Sequence, residues 1–283
     1  MGNAVNAEFR KIFTTKMWWA LLIPAVVVAF LANLGFALAE KSGESNIAEL
    51  SGQTVHVPVG LLGLGASFGF TAIFAAVFGV MAISGEFRHR TIGTTYLTSR
   101  SRGTVLSAKL VAYTGLGLLY GVTTLVFATL GTLIGDGSNA LPSAGSWLLV
   151  SLVGIGIIMV WTLLGVGLGG LISNQIAAVV VLLAYSLAGE SLIGLLLQGL
   201  KIQSVQHYLP AASASGALLV FSFDRFITEI QISNVSRTDL ANLADVFRVS
   251  GLPPWWVGGL VFIGYAALFT LAGWGLSRRR DIS

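Results

Sequence analysis

Six long apolar runs organise this 283-residue chain, at roughly 17–39, 59–83, 110–134, 147–172, 176–198 and 255–276. Each reaches the length of about 20 residues that a helix needs to cross a bilayer. Within lipid, only helices and closed barrels satisfy their own backbone. A run such as LLIPAVVVAFLANLGFALA lacks the alternation of a barrel strand. The pattern therefore predicts an all-α integral membrane fold with six transmembrane helices in one domain spanning 1–283. Pro24 falls inside the first run, a position that neighbouring helices can tolerate in a membrane bundle.

The segments between the runs differ in character. Ahead of the first, Val5, Phe9, Ile12, Phe13 and Met17 recur at helical spacing, with Asn6, Glu8, Arg10 and Lys11 elsewhere on the wheel. This predicts a short amphipathic helix over 1–16 that lies on the inner leaflet and turns into the first span at Trp18–Trp19. The first apolar run is longer than the core of a signal peptide and holds no small-residue cleavage site, so no cleavable leader is expected. Residues 40–58 and 135–146 read as modest loops, and SNQ at 173–175 as a hairpin. The connection 199–254 is longer, and its PAASASGALLVFSF stretch is too short to span. It is a candidate re-entrant or interfacial helix.

Composition supports a lipid solvent. Hydrophobic residues make up 55% and charged residues only 10%, against roughly a quarter charged in soluble domains. The absence of cysteine rules out disulfides, thiolate metal sites and cysteine nucleophiles. The net charge of +4 matters less than its placement. With a cytoplasmic N-terminus, eleven basic and three acidic residues lie on the inner side, for a net of +8, and five basic and eight acidic residues lie outside, for −3. Because basic residues favour the cytoplasmic side, both termini and the segment 84–109 are expected there.

Most local motifs resolve to packing. GVGLGG, from Gly165 to Gly170, matches a dinucleotide fingerprint in letters but sits within an apolar helix and not in a strand–turn–helix unit. Gly165 and Gly169, Gly117 and Gly121, and Gly65 and Gly69 are spaced for close helix approach. No phosphate-binding GxxxxGK[ST] loop occurs, so nucleotide hydrolysis by a P-loop is not expected in this chain. His56, His89 and His207 fall on separate loops, and no local metal site or catalytic set is expected. Glu190 is the one acid within a span. Such a group is a substrate or proton site, a structural hydrogen bonder to a facing helix, or a residue near the outer interface.

The remaining feature is the island GEFRHRTIGTTYLTSRSRG at 85–103, with Glu86, Arg88, His89, Arg90, Arg100 and Arg102. It lacks the folded, aromatic-interleaved face that nucleic-acid binding would use. Two readings stay open: a topological marker that touches anionic lipid, or a docking surface for a soluble partner, with a short helix over 91–97.

The stretch from Glu86 to Lys109 resembles the first cytoplasmic loop of type-2 ABC transporter permeases, particularly actinobacterial ones. Glu86, Phe87, Arg88, His89, Thr91, Ile92, Arg102, Ala108 and Lys109 carry that likeness. AEFRKIFTTKMWW is similar to the family's elbow helix, including Phe9, Arg10, Lys11 and Phe13, and HYLPAA and SRRRDIS are similarly placed pieces. Arg90 stands where the family usually has glycine, and Ser101 where proline is common. The resemblance implies a permease subunit of an ATP-driven exporter in the bacterial cytoplasmic membrane, with no cofactor of its own. ATP and Mg would bind two separate ATPase subunits, and a second permease copy or a related chain would complete the complex. The loop 84–109 would then carry the coupling helix that sits on the ATPase. The alternatives are an ATP-independent secondary transporter or channel using Glu190, and a non-transporting scaffold or sensor subunit.

Overall fold

The computed structural model describes residues 2–51, 58–89, 91, 93, 101–137, 141–229 and 237–279. Among these the chain is helical, without a strand. Helix α1 spans Gly2–Thr14, α2 Met17–Ser51, α3 Gly60–Arg88, α4 Arg102–Asp136 and α5 Ala144–Leu171. Helix α6 (Gln175–Ala184) runs through a π-helical turn, Tyr185–Gly189, into α7 (Glu190–Gly199). A 3₁₀ turn at Gln203–Tyr208 leads to α8 (Pro210–Glu229), followed by α9 (Arg237–Val246) and α10 (Trp255–Arg279). Among the described residues, six helical segments are long and apolar enough to cross a membrane: Met17–Ser42, Gly60–Arg88, Gly103–Asp136, Ala144–Leu171, Gln175–Gly199 and Trp255–Leu276. The chain is a multi-pass membrane protein.

Helix α3 is the most buried span and the α6–α7 span the least. The centre is built on small residues, because bare backbones must approach closely where no hydrophobic drive holds helices together in lipid. A Cβ on Gly165 or Gly169 of α5 would overlap the carbonyls of Ala76 and Val80 on α3. From the other helix, Gly79 of α3 meets the Thr162 carbonyl in the same way. Gly117 and Gly121 make the corresponding approach of α4 to α5. The GVGLGG stretch is thus a packing surface, as its spacing predicts. Gly69 differs: a Cβ there would meet nothing within 4 Å.

Hydrogen bonds join the same helices. Asn33 of α2 donates to the Ser67 hydroxyl of α3, Thr124 of α4 donates to Thr71 of α3 at 3.0 Å, and the Tyr120 hydroxyl donates to the Trp18 carbonyl at 2.8 Å. Each satisfies a polar group that lipid would leave unpaired.

Several boundaries depart from the expected ones: residues 40–51, expected within a loop, continue α2 as far as Ser51. Residues 84–88 and 102–109, expected within a loop, are helical extensions of α3 and α4. SGEFR holds no proline, and Glu86 pairs with Lys11 and Lys109 within the continued helix. The apolar stretch at 210–223 is the start of a 20-residue helix, α8, which packs against α3 and α10.

The close α3–α5 contact gives a direct prediction. Gly165→Val should lower the stability of the purified protein in detergent by about 1–3 kcal/mol through overpacking. Gly69→Ala should be neutral or stabilising by about 0.5–1 kcal/mol, because it removes a helical glycine and meets no neighbour. Thermal unfolding of the two variants beside the parent checks both signs.

Candidate functional site

Four charged side chains meet where α1, the end of α3 and the start of α4 converge. Lys109 of α4 has an ammonium with three protons and finds three acceptors: Glu8 Oε2 at 2.9 Å, Glu86 Oε1 at 2.8 Å and the Ala82 carbonyl at 3.1 Å. Its side chain is 3% exposed. Lys11 of α1 closes the group, at 2.8 Å from Glu8 Oε1 and 2.7 Å from Glu86 Oε1. Two carboxylates and two ammonium groups leave no net charge, which is the condition for burying them.

Local sequence brings each group there. Glu8 and Lys11 are three residues apart and share one face of α1. Phe9 of α1 lies against Gly115 of α4, where a Cβ would sit 3.0 Å from its ring. Phe9 stacks on Phe13, and Phe13 meets Trp18 edge-on. Burial works against the Lys11 charge, but the Glu8 and Glu86 carboxylates outweigh it and hold its pKa above the ordinary lysine value. A raised pKa means that this contribution persists through neutral pH and fades only as pH rises past that value.

The group sits at the base of the island. Glu86 lies three residues before residue 89, where α3 has ended, and Lys109 lies in the second turn of α4. Their bond therefore closes the intervening segment at its root, and Glu8 ties that root to α1. On the α4 side, Ser101 accepts a hydrogen bond from the Thr104 backbone N–H at 3.1 Å and caps the helix. Its hydroxyl starts α4 where the resembling family commonly has proline.

The predicted site residues divide into groups. Glu86 and Lys11 belong to the buried cluster, and Phe87 packs on the core. Arg88 is exposed and reaches Gln175 at 3.4 Å, bringing the end of α3 to the start of α6. His89 and Thr91 are exposed, with their backbone N–H groups bonded to Gly85 and Glu86 carbonyls at 3.0 Å. Arg10 is exposed on α1. Arg90, Ile92, Arg100 and the side chain of Arg102 lie outside the described residues, as does the helix expected over 91–97 apart from positions 91 and 93.

Glu190 lies away from this cluster. Its two oxygens accept the backbone N–H groups of Ala211 and Ala212, each at 2.6 Å, at the start of α8. The carboxylate thereby meets the donors and positive end of a helix terminus. Two more acids do the same elsewhere. Glu40 accepts from Gly60 N–H at the start of α3, and Glu229 takes Ser143 N–H and the Ser146 hydroxyl at the start of α5.

Periodicity places Glu8 on the polar face of α1, and in the structure it is buried. Its partner Lys109 is 101 residues away. Lys109 itself stands immediately before the apolar run at 110–134, within the segment expected to lie in the cytoplasm.

Residues 4–189 match the family model described as ABC-2 family transporter protein. The chain belongs to the ABC-2 transporter family. The matched region contains most of α1, the island and the whole Glu8–Glu86–Lys109–Lys11 cluster. It identifies this membrane protein as an ABC permease subunit. Comparison with curated proteins gave no match.

Breaking the cluster from its buried member should cost far more than from its exposed one. Lys109→Met leaves two buried carboxylates with one lysine and should destabilise the permease by about 3–5 kcal/mol. Lys11, 45% exposed, should cost less as Lys11→Met, because Lys109 still pairs with both carboxylates and water reaches the vacated position. Unfolding in detergent, followed by the tryptophan signal, measures both.

Proposed function

We propose that this permease subunit exports a substrate across the bacterial cytoplasmic membrane, driven by ATP hydrolysis on separate ATPase subunits that dock against the island at 85–103. Arg88, His89, Arg90, Thr91, Ile92, Arg100 and Arg102 form that docking surface. Helix α1 is the elbow on the inner leaflet, with both termini cytoplasmic. Two ATPase subunits carrying ATP and Mg face two permeases, either two copies of this chain or one copy and a related chain.

One observation supports this reading above others. The island does not hang from two loose helix ends: Glu86 and Lys109 join its root, and Glu8 joins that root to α1. A push on the island is therefore delivered to α1, α3 and α4 together. A topological marker would need only the charges and not the clamp.

The positive-inside count supports the orientation. Glu40 and Glu229, both counted outside, cap the starts of α3 and α5 at the end of the bundle opposite the island. The engagement of both Glu190 oxygens favours the structural role for that acid over ion coupling.

The test is purification of the tagged permease with its membrane lipids. A soluble ATPase should co-purify in equal number, and its activity should fall at least tenfold with Arg88→Glu combined with Arg90→Glu, while the variant still inserts. The absence of native cysteine allows orientation to be read in the same cells. Ser101→Cys should react only with a permeant maleimide, and Ser204→Cys also with an impermeant one. Unaltered activity in the charge-reversed variant would reduce the island to a topological marker.

A further inference from the structure

At the end of the bundle opposite the charged cluster, a cavity of about 500 Å³ opens between the first half of α3, the middle of α5, the π-helical turn and α8. Its size suits one drug-sized molecule. Phe70, Ile73, Ile157, Trp161 and Leu218 give it an apolar floor, and Gln206, His207 and Arg248 stand at its polar side. Small residues create the space: a Cβ on Gly69 or Gly216, both lining it, would meet nothing within 4 Å.

Two features point to a ligand and not to a packing defect. Ser186 and Ser222 both line the cavity, and their hydroxyl oxygens are buried with no hydrogen-bond partner among the described residues. Ser222 is 1% exposed. A buried polar group left unpaired costs about 1–3 kcal/mol, and a ligand acceptor removes that cost. The second feature is Arg248. It follows α9 with φ 55°, at a helix-end position where glycine is usual. A side chain there is held at a cost of order 1 kcal/mol. The turn is fixed by Val249 N–H on the Ala244 carbonyl at 2.8 Å. The result is an arginine at the polar side of a mostly apolar cavity.

We infer that this cavity binds a single-tailed anionic amphiphile whose body carries an amide or ester carbonyl. The anionic group pairs with Arg248 beside His207, the carbonyl accepts from the Ser186 and Ser222 hydroxyls, and the tail covers Phe70, Ile73, Ile157 and Trp161. The single tail follows from the volume, the negative charge from Arg248, and the carbonyl from the two orphaned hydroxyls. Binding at this site requires no ATPase, so it stands or falls separately from the docking reading.

The probe is an N-acylglycine bearing a diazirine in its chain, photolysed with the full-length permease in phosphatidylcholine nanodiscs and mapped by mass spectrometry. Saturable labelling should concentrate on 62–73 and 206–222. It should fall at least tenfold in Gly69→Leu and in Gly216→Leu, each of which fills the cavity, and in Arg248→Glu. Two variants at open positions keep the test decisive if one fails to fold. The matched N-acylethanolamine, which keeps the amide and lacks the charge, should label at least tenfold less, as should a two-tailed diazirine phosphatidic acid. Labelling spread over the exposed Leu192 and Leu195 would overturn the site. Equal labelling of the filled variants would do the same. Equal labelling by the neutral or the two-tailed probe would overturn the proposed ligand class.

Discussion

A buried ammonium must find acceptors for all its protons, and Lys109 finds them on two other helices. Removing such a charge from water costs several kcal/mol unless it is paired and hydrogen-bonded. The acceptors come from α1 through Glu8 and from α3 through Glu86 and the Ala82 carbonyl. Three helices are therefore held in one arrangement at a single point. Because Glu86 and Lys109 flank the basic island, the same point decides what the island is attached to. Phe9 and Ile12 also pack α1 on the bundle.

The two ends of the bundle use charge for different ends. At the island end, opposite charges meet each other inside the protein. At the other end, Glu40 and Glu229 meet the first N–H groups of α3 and α5, while Glu190 does so for α8. Each acid satisfies donors that a helix start leaves open and lies at the favourable end of the dipole. Between the ends, glycines let α3, α4 and α5 touch backbone to backbone. That rigid centre contrasts with the sparsely buried α6–α7 span, whose outer face carries Leu187, Leu192, Leu195 and Leu196.

Much of this was legible from the residues. Lipid imposes long apolar helices, so the six spans stand out from hydropathy alone. Gly165 and Gly169 declare their role through spacing, and the likeness of Glu86–Lys109 to the permease family agrees with the family match. The rest depended on contacts across long separations. Nothing near Glu8 shows that a lysine 101 residues on will bury it. Glu190 could be read as a proton site or a hydrogen bonder, and its answer lay 21 residues away at the start of α8. The cavity was illegible for a related reason: Gly69, Ser222 and Arg248 come from three elements that only the fold assembles. Ser101 was the reverse case, where a departure from the family pattern has a local explanation as a helix cap.

The central claim is that Glu8 and Lys109 act as one unit that fastens the island's root to α1. A double-mutant cycle measures this directly, using Glu8→Gln, Lys109→Met and the pair, with unfolding free energy in detergent as the readout. Contacting members of one charged network couple by about 0.5–3 kcal/mol, and the buried geometry here predicts the upper half of that range. Additivity within about 0.5 kcal/mol would contradict the account, because it would mean that α1 and the root of the island are stabilised independently.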